Sequence, residues 1–306
     1  MVGKVEALNI DKLAFMNQSH VRMKDRKKVE AMLNDLVDGG IRKLQVVTDF
    51  DFTLTKQRMD NGEKVLTSFG MFERCKSLPP SYIVEARKLY DKYRPIEIDP
   101  HMTLEQKLPY MIEWWSASGN ILKGFRLPRK EIEEVAEHFK NALRDGTHEM
   151  FRELYSHNIP CLVFSAGLGD SVVSVLKHAN VLYPNVKVIS NFLKYKDDEM
   201  LDGLGEHDRM IHTFNKNETA LPPEYHELVH DRDHIILMGD SLGDATMANG
   251  VPSQSHILKI GFLFDHPEQN LPAYLEKFDI VLIDDQTMDV ARAIIELVEK
   301  GSSSAN

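Results

Sequence analysis

The chain has 306 residues, 42% of them hydrophobic, enough to build a large core and a second, smaller domain. Its formal charge of −10 argues against a nucleic-acid polymer as partner, since such binders need a broad basic surface to displace counterions. It contains neither a signal-peptide core nor an apolar run long enough to span a bilayer, so a cytoplasmic location without a membrane partner is expected; a monomer is expected as well.

The segment VRMKDRKKVEAMLNDLVDGG carries apolar residues at helical spacing and stops at Gly39 and Gly40, which suit a C-terminal cap. It should lead into a strand at LQVVT, directly followed by DFDFTLT. From Thr55 to about Thr147 the strand signal disappears, and PPSYIVEARKLYDKYRP, TLEQKLPYMIEWWSAS and LPRKEIEEVAEHFKNAL follow one another as helical patterns. A structureless loop of that length is implausible, so a helical cap over 59–144 is expected, inserted into a core made of 1–58 and 145–306. Beyond it come the buried strand runs IPCLVFS, NVKVISNF, HIILMGD, HILKIGF and FDIVLID, several of them separated by helical patterns. Continuous apolar runs alternating with amphipathic helices indicate a parallel sheet covered on both faces, hence a Rossmann-like α/β core. The two cysteines, Cys75 and Cys161, show no metal-ligand or disulfide pattern, and Cys161 reads as a buried strand residue. The closing GSSSAN is expected to fray.

Ligands of such sheets bind beyond the carboxyl ends of the strands, and Asp49, Ser165 and Asp240 each close an apolar run. In an extended chain Asp49 and Asp51 point to the same side. Two carboxylates held together repel, and a divalent cation with hard oxygen ligands, magnesium above all, is the usual compensation. GDSLGD supplies a second acidic pair, Asp240 and Asp244, suited to a metal ligand and an orienting partner. FSAG places a hydroxyl and backbone N–H groups before a helix, a setting for an oxyanion or phosphate. Each element alone has a plain alternative: an Asx turn, an ordinary strand-to-helix turn, or helix capping. Chance accounts poorly for all three at strand ends of one sheet.

Together DFDFTLT, FSAG and GDSLGD resemble the first, second and fourth motifs of the haloacid dehalogenase superfamily of phosphohydrolases. YRPIEIDP, LPYMIEWW, NVKVISNF, IHTFNKNE and HILKIGF resemble one branch of it, the cytosolic 5′-nucleotidase III family, over nearly the whole chain. The resemblance implies that Asp49 is the nucleophile, forming an aspartyl phosphate, and that Asp51 protonates the leaving oxygen and then activates water. It also implies Mg2+ held by the Asp49 carboxylate, the Asp51 carbonyl and the Asp240 carboxylate. Phosphoryl transfer needs a hydroxyl and a cation facing the metal across the phosphate. Ser165, with Ala166 beside it, fits the first role. For the cation, the residues alone leave Lys194, Lys196 and Lys216 open, and the resemblance chooses Lys216. Thr53 and Asp244 are supporting residues, with Asp244 orienting the lysine or aiding the metal shell.

The cap should read the leaving group. By itself Glu97 is a surface carboxylate. In the family pattern it is a base reader, since a carboxylate accepts from the exocyclic amine of cytosine or the N1 and N2 edge of guanine. Trp114 and Trp115 project about 100° apart on a helix, so one is expected in the core. The resemblance assigns Trp115 to the nucleobase and Ser118 to a substrate contact. Tryptophan offers the best face for a cation, about 0.5–2 kcal/mol, which favours the positively charged 7-methylguanine. The expected activity is a Mg-dependent 5′-nucleotidase on nucleoside monophosphates, 7-methylguanosine 5′-monophosphate first and CMP second. Alternatives are a pyrimidine-specific nucleotidase with phosphotransferase activity, a phosphatase for phosphoserine or sugar phosphates, and a non-catalytic nucleotide-binding protein. The complete set Asp49, Asp51, Ser165, Lys216 and Asp240 speaks against the last.

Overall fold

A computed structural model of the protein describes residues 7–99, 101–197, 199–205, 210–216, 225, 228–249 and 255–304. A two-residue strand, β1 (Val21–Arg22), precedes helix α1 (Arg26–Gly39), which the Asp25 side chain caps by accepting the Lys28 N–H at 3.0 Å. Val29, Leu33, Leu36 and Val37 form the buried face of α1. The helix stops where expected, because Gly40 takes φ +70°, a left-handed conformation that glycine adopts without steric cost.

LQVVT becomes β2 (Leu44–Thr48), buried at every position. The later runs become β3 (Cys161–Leu168), β4 (Val186–Asn191), β7 (His234–Gly239), β8 (His256–Leu263) and β9 (Ile280–Ile283). The main sheet runs β1–β9–β8–β7–β2–β3–β4, parallel throughout except for β1 on β9. Strand alternation divides the apolar residues between two layers: Val46, Val163 and Ile236 pack on one side, and Val47, Leu162 and Leu237 on the other. The α/β reading therefore holds.

Between β2 and β3 lie α2 (Ser68–Phe72), α3 (Pro80–Ile98), α4 (Leu104–Asn120), α5 (Arg129–His138) and α6 (Thr147–Ser156). The two ends of the helical stretch meet: Lys56 N–H donates to the Ala142 carbonyl at 2.7 Å and Arg144 N–H to the Leu54 carbonyl at 2.8 Å. A separate apolar cluster gathers Phe72, Tyr82, Leu122 and Leu127 from this stretch with Leu193 and Leu204 from further along the chain. Those last two belong to a hairpin, β5 (Leu193–Tyr195) and β6 (Leu201–Leu204), that the sequence reading did not anticipate and that packs against α4.

After β3 comes α7 (Gly169–His178), and α8 (Pro267–Lys277) and α9 (Asp289–Ser304) complete the fold. The expected fraying of the GSSSAN tail is corrected over Gly301–Ser304, which stay helical; residues 305–306 lie outside the described residues. Ser302 Oγ accepts the Ile41 N–H at 3.0 Å, and Gly301 lies so close to Val37 that a Cβ there would come within 2.4 Å. Among the described residues no helix is long and apolar enough to cross a membrane.

Candidate active site

Strands β7, β2 and β3 are neighbours, so the residues that leave their carboxyl ends converge. Asp49 extends the β2 ladder by one residue, its N–H donating to the Met238 carbonyl at 3.0 Å. The chain then turns tightly. The N–H groups of Thr53, Leu54 and Thr55 all point at the Phe50 carbonyl (3.0–3.3 Å), and Phe52 sits at φ +58°, a costly conformation for a bulky residue. A fully buried arginine that the sequence reading missed, Arg144, clamps this turn. Its Nε donates to the Thr53 carbonyl at 2.6 Å, one Nη to the Phe52 carbonyl at 2.5 Å, and the other to the Asp285 carbonyl.

Asp49, Asp240 and Asp244 each offer an oxygen within 4.8 Å of the others. Of the three candidate lysines, Lys216 is the one at the cluster: its buried ammonium lies 2.5 Å from Asp49 Oδ1 and 2.8 Å from Asp244 Oδ1. Lys194 and Lys196 are exposed. The segment carrying Lys216 is pinned by Asn191 at the end of β4, which exchanges two hydrogen bonds with the Ile211 backbone. Asp244 also accepts the Ser241 N–H and hydroxyl on Oδ2, at 2.9 and 2.7 Å, so both its oxygens are engaged by protein donors, Lys216 on one and Ser241 on the other. Close packing makes this possible, since a Cβ on Gly239 would fall 2.2 Å from the Asp244 Cβ. Thr53 Oγ1 makes a long, 3.4 Å contact to Asp49 Oδ2.

Asp51 turns elsewhere. Its Oδ1 accepts the Ser68 N–H at 2.7 Å and its Oδ2 the Ser68 hydroxyl at 2.8 Å, while Ser68 Oγ accepts the Leu168 N–H at 3.0 Å. Gly167 leaves room for this contact, because a Cβ there would fall 1.9 Å from Ser68 Oγ. Ser68 is the first residue of α2, and TSFG carries only a capping signal in sequence. Ser165 is buried and its Oγ accepts the Gly167 N–H at 3.0 Å. FSAG lies within the irregular end of β3, with α7 beginning only at Gly169.

Four carboxylates thus meet one lysine. Burial pushes Asp49 up to about 7 against the pull of Lys216, with the Asp244 and Asp51 charges adding to the rise. Burial likewise pushes Asp51 up to about 6, the two Ser68 hydrogen bonds acting to lower it. Asp240 is raised well above the carboxylate range by burial and by Asp244 and Asp49. Although burial disfavours its charge, Lys216 is held protonated by Asp244 and Asp49. Hard oxygen donors with this excess of negative charge fit a divalent cation, with Asp49 and Asp240 as the carboxylates best placed to hold it.

A cavity of about 400 Å³ opens from this cluster. Its lining includes Asp49, Asp51, Ser165, Ala166, Lys216 and Asp240 together with Glu97, Trp115 and Ser118. Glu97 is not a free surface carboxylate: it stands in the last turn of α3, its side chain 12% exposed, accepting from Thr213 Oγ1 at 2.6 Å and paired with Arg94. The expectation that one tryptophan is core is corrected, since Trp114 and Trp115 are both half-buried and both line the cavity. Their rings lie 6.3 Å apart and 25° from parallel, and the row continues to Tyr93 on one side (5.8 Å) and Phe69 on the other (5.4 Å). Side-chain rotation brings together what the 100° helical offset separates.

This mostly parallel sheet, with helices inserted after β2 and an acidic cluster at its strand ends, has a haloacid dehalogenase-like fold. A solved haloacid dehalogenase family hydrolase from Salmonella enterica shares the fold, at a TM-score of 0.51 and 14% identity over 83% of this chain and 72% of that one. The chain belongs to the pyrimidine 5′-nucleotidase (UMPH-1) family, whose sequence model matches residues 52–299, and it is a phosphoric monoester hydrolase. It is 56% identical over 295 residues to the 7-methylguanosine phosphate-specific 5′-nucleotidase of Drosophila melanogaster, covering 96% of this chain and 92% of that one. A solved structure of cytosolic 5′-nucleotidase IIIB bound to cytidine, also 56% identical, aligns with a TM-score of 0.92 over 97% of this chain and 99% of that one.

Proposed function

We propose that the protein is a Mg-dependent cytoplasmic 5′-nucleotidase that prefers 7-methylguanosine 5′-monophosphate and also takes CMP, releasing nucleoside and phosphate. The observation that carries this reading is the single cavity joining the aspartate–lysine cluster to the Glu97 and Trp115 wall. The curated relative at 56% identity is named for the methylated nucleotide, which supports the same substrate.

In this reading Asp49 attacks phosphorus, the bond to the 5′-oxygen breaks, and Asp51 delivers its proton to that oxygen. Asp51, now a carboxylate, takes a proton from water, which attacks the aspartyl phosphate and frees Asp49 and inorganic phosphate. Lys216, Ser165 and the Ala166 backbone hold the equatorial oxygens in line. Asp49 and Asp240, with the Asp51 carbonyl, would hold Mg2+, which supplies charge neutralisation at the phosphate. Thr53 and Asp244 keep Asp49 and Lys216 in place.

Steady-state kinetics test the substrate. 7-Methylguanosine monophosphate should exceed GMP in kcat/KM, and Trp115→Ala should cut the methylated substrate about two- to thirtyfold, more than CMP. Equal losses on both substrates would remove the stacking role. A second reading, a nucleotidase confined to pyrimidines, is supported by the cytidine bound to the related structure. It predicts CMP and UMP turnover without the methylated purine, and phosphoryl transfer to added nucleoside.

A further inference from the structure

Glu97 enters the cavity already engaged. Its Oε1 accepts from Thr213, its Oε2 pairs with Arg94 one helical turn earlier, and its backbone carbonyl accepts from Lys107 of α4 at 2.8 Å. An i, i+3 ion pair on a solvated helix face is ordinary and contributes little. This one differs in place: Arg94 is itself a wall of the cavity, beside Tyr90 and Trp114, and Glu97 is bridged to Thr213, three residues before Lys216. A guanidinium on a base-reading carboxylate acts in two ways. It fixes the carboxylate plane, so the remaining lone pairs meet a base at a set angle, and it offsets the charge by which Glu97 would draw a cationic base.

We propose that Arg94 is a specificity-determining residue: paired with Glu97, it keeps the base-reading end of the cavity near neutral, so that a neutral base bearing an amine is accepted beside a cationic one. The inference rests on the substrate reading above. Without Arg94, Glu97 faces the base with its charge less offset, Lys107 remaining beside it, and with less orientation. A cationic 7-methylguanine gains from the first change; a neutral cytosine only loses from the second.

The test compares kcat/KM for 7-methylguanosine monophosphate and CMP in Arg94→Met, Arg94→Gln and Arg94→Lys. In the two neutral variants the ratio should rise about threefold or more in favour of the methylated nucleotide, carried by KM, with the gain shrinking in about 0.5 M KCl. The lysine variant keeps the charge but not the planar fork, so its ratio should fall between the wild type and the two neutral variants. A merely structural role would lower both substrates by one factor, and that result, or a lysine variant that behaves like methionine, overturns the proposal. If Arg94→Met does not fold, the Gln and Lys pair decides alone. A wild-type enzyme that hydrolyses neither nucleotide overturns the substrate reading as well, whereas turnover of both with an unchanged ratio in the variants overturns the role of Arg94 only.

Discussion

Asp49 and Asp51 share a turn but not an environment, and the difference separates their expected roles. Asp49 faces Lys216, whereas Asp51 faces Ser68. Asp49→Asn keeps the volume and removes the nucleophilic oxygen, so turnover should fall by at least about 10³-fold while calorimetry still detects nucleotide binding. Substantial surviving phosphatase activity would take the nucleophile role away from Asp49. Ser68 acts through Asp51. Its hydroxyl and N–H both stabilise the ionised carboxyl, so Ser68→Ala removes one donor and should raise the Asp51 pKa further. The limb of the kcat–pH profile that reports Asp51 should move up by about half a unit to one unit. A profile that falls uniformly without moving would reduce Ser68 to a packing residue. The carboxylates were legible in sequence because DFDFT and GDSLGD end apolar runs. Ser68 was not, because its partner lies 17 residues away and, beside the Thr67 cap, it reads as an ordinary first-turn residue of a helix.

At the scale of elements, Arg144 ties the end of the inserted helical stretch to the turn bearing the aspartates. Removing its guanidinium leaves the Phe52, Thr53 and Asp285 carbonyls without their donor in a buried place. Arg144→Met should therefore cost about 3–5 kcal/mol in urea unfolding and lower kcat in protein that is still folded, because the strained Phe52 conformation loses its restraint. A loss under about 1 kcal/mol with normal kcat would show that the turn holds itself. Nothing in KNALRDG announces this role, since the clamp depends on carbonyls about ninety positions earlier in the chain. The same limit hid the β5–β6 hairpin, whose strands of three and four residues are too short for a periodic signal. The parallel strands were readable because burial on both faces writes them as unbroken apolar runs. The tryptophan pair misled for a different reason: helical phase fixes where Cβ atoms point, but a large side chain on a half-buried helix rotates to join a row of rings.

For the whole molecule, the cluster of carboxylates at the strand ends is a folding liability as well as a site. Asp49, Asp51 and Asp240 bind protons more tightly in the folded chain than their ordinary value of 3.8. Across the window from about pH 4 to about pH 7 the folded state therefore holds more protons than the unfolded one, and stability contributed by these groups falls as pH rises. Carboxylates with lowered pKa values, such as Glu131, Glu133 and Asp233, act oppositely, but their contribution is lost only at lower pH. A divalent cation replaces the missing protons, so it should stabilise the protein more where those protons are gone. In thermal melts with EDTA against saturating Mg2+, the gain in Tm at about pH 7.5 should exceed the gain at about pH 5.5 by roughly 3 °C or more. Asp240→Asn, which removes one charge from the cluster, should shrink that difference and raise the metal-free Tm at the higher pH. Equal gains at both pH values would mean that the cation, if bound, is held away from these three carboxylates.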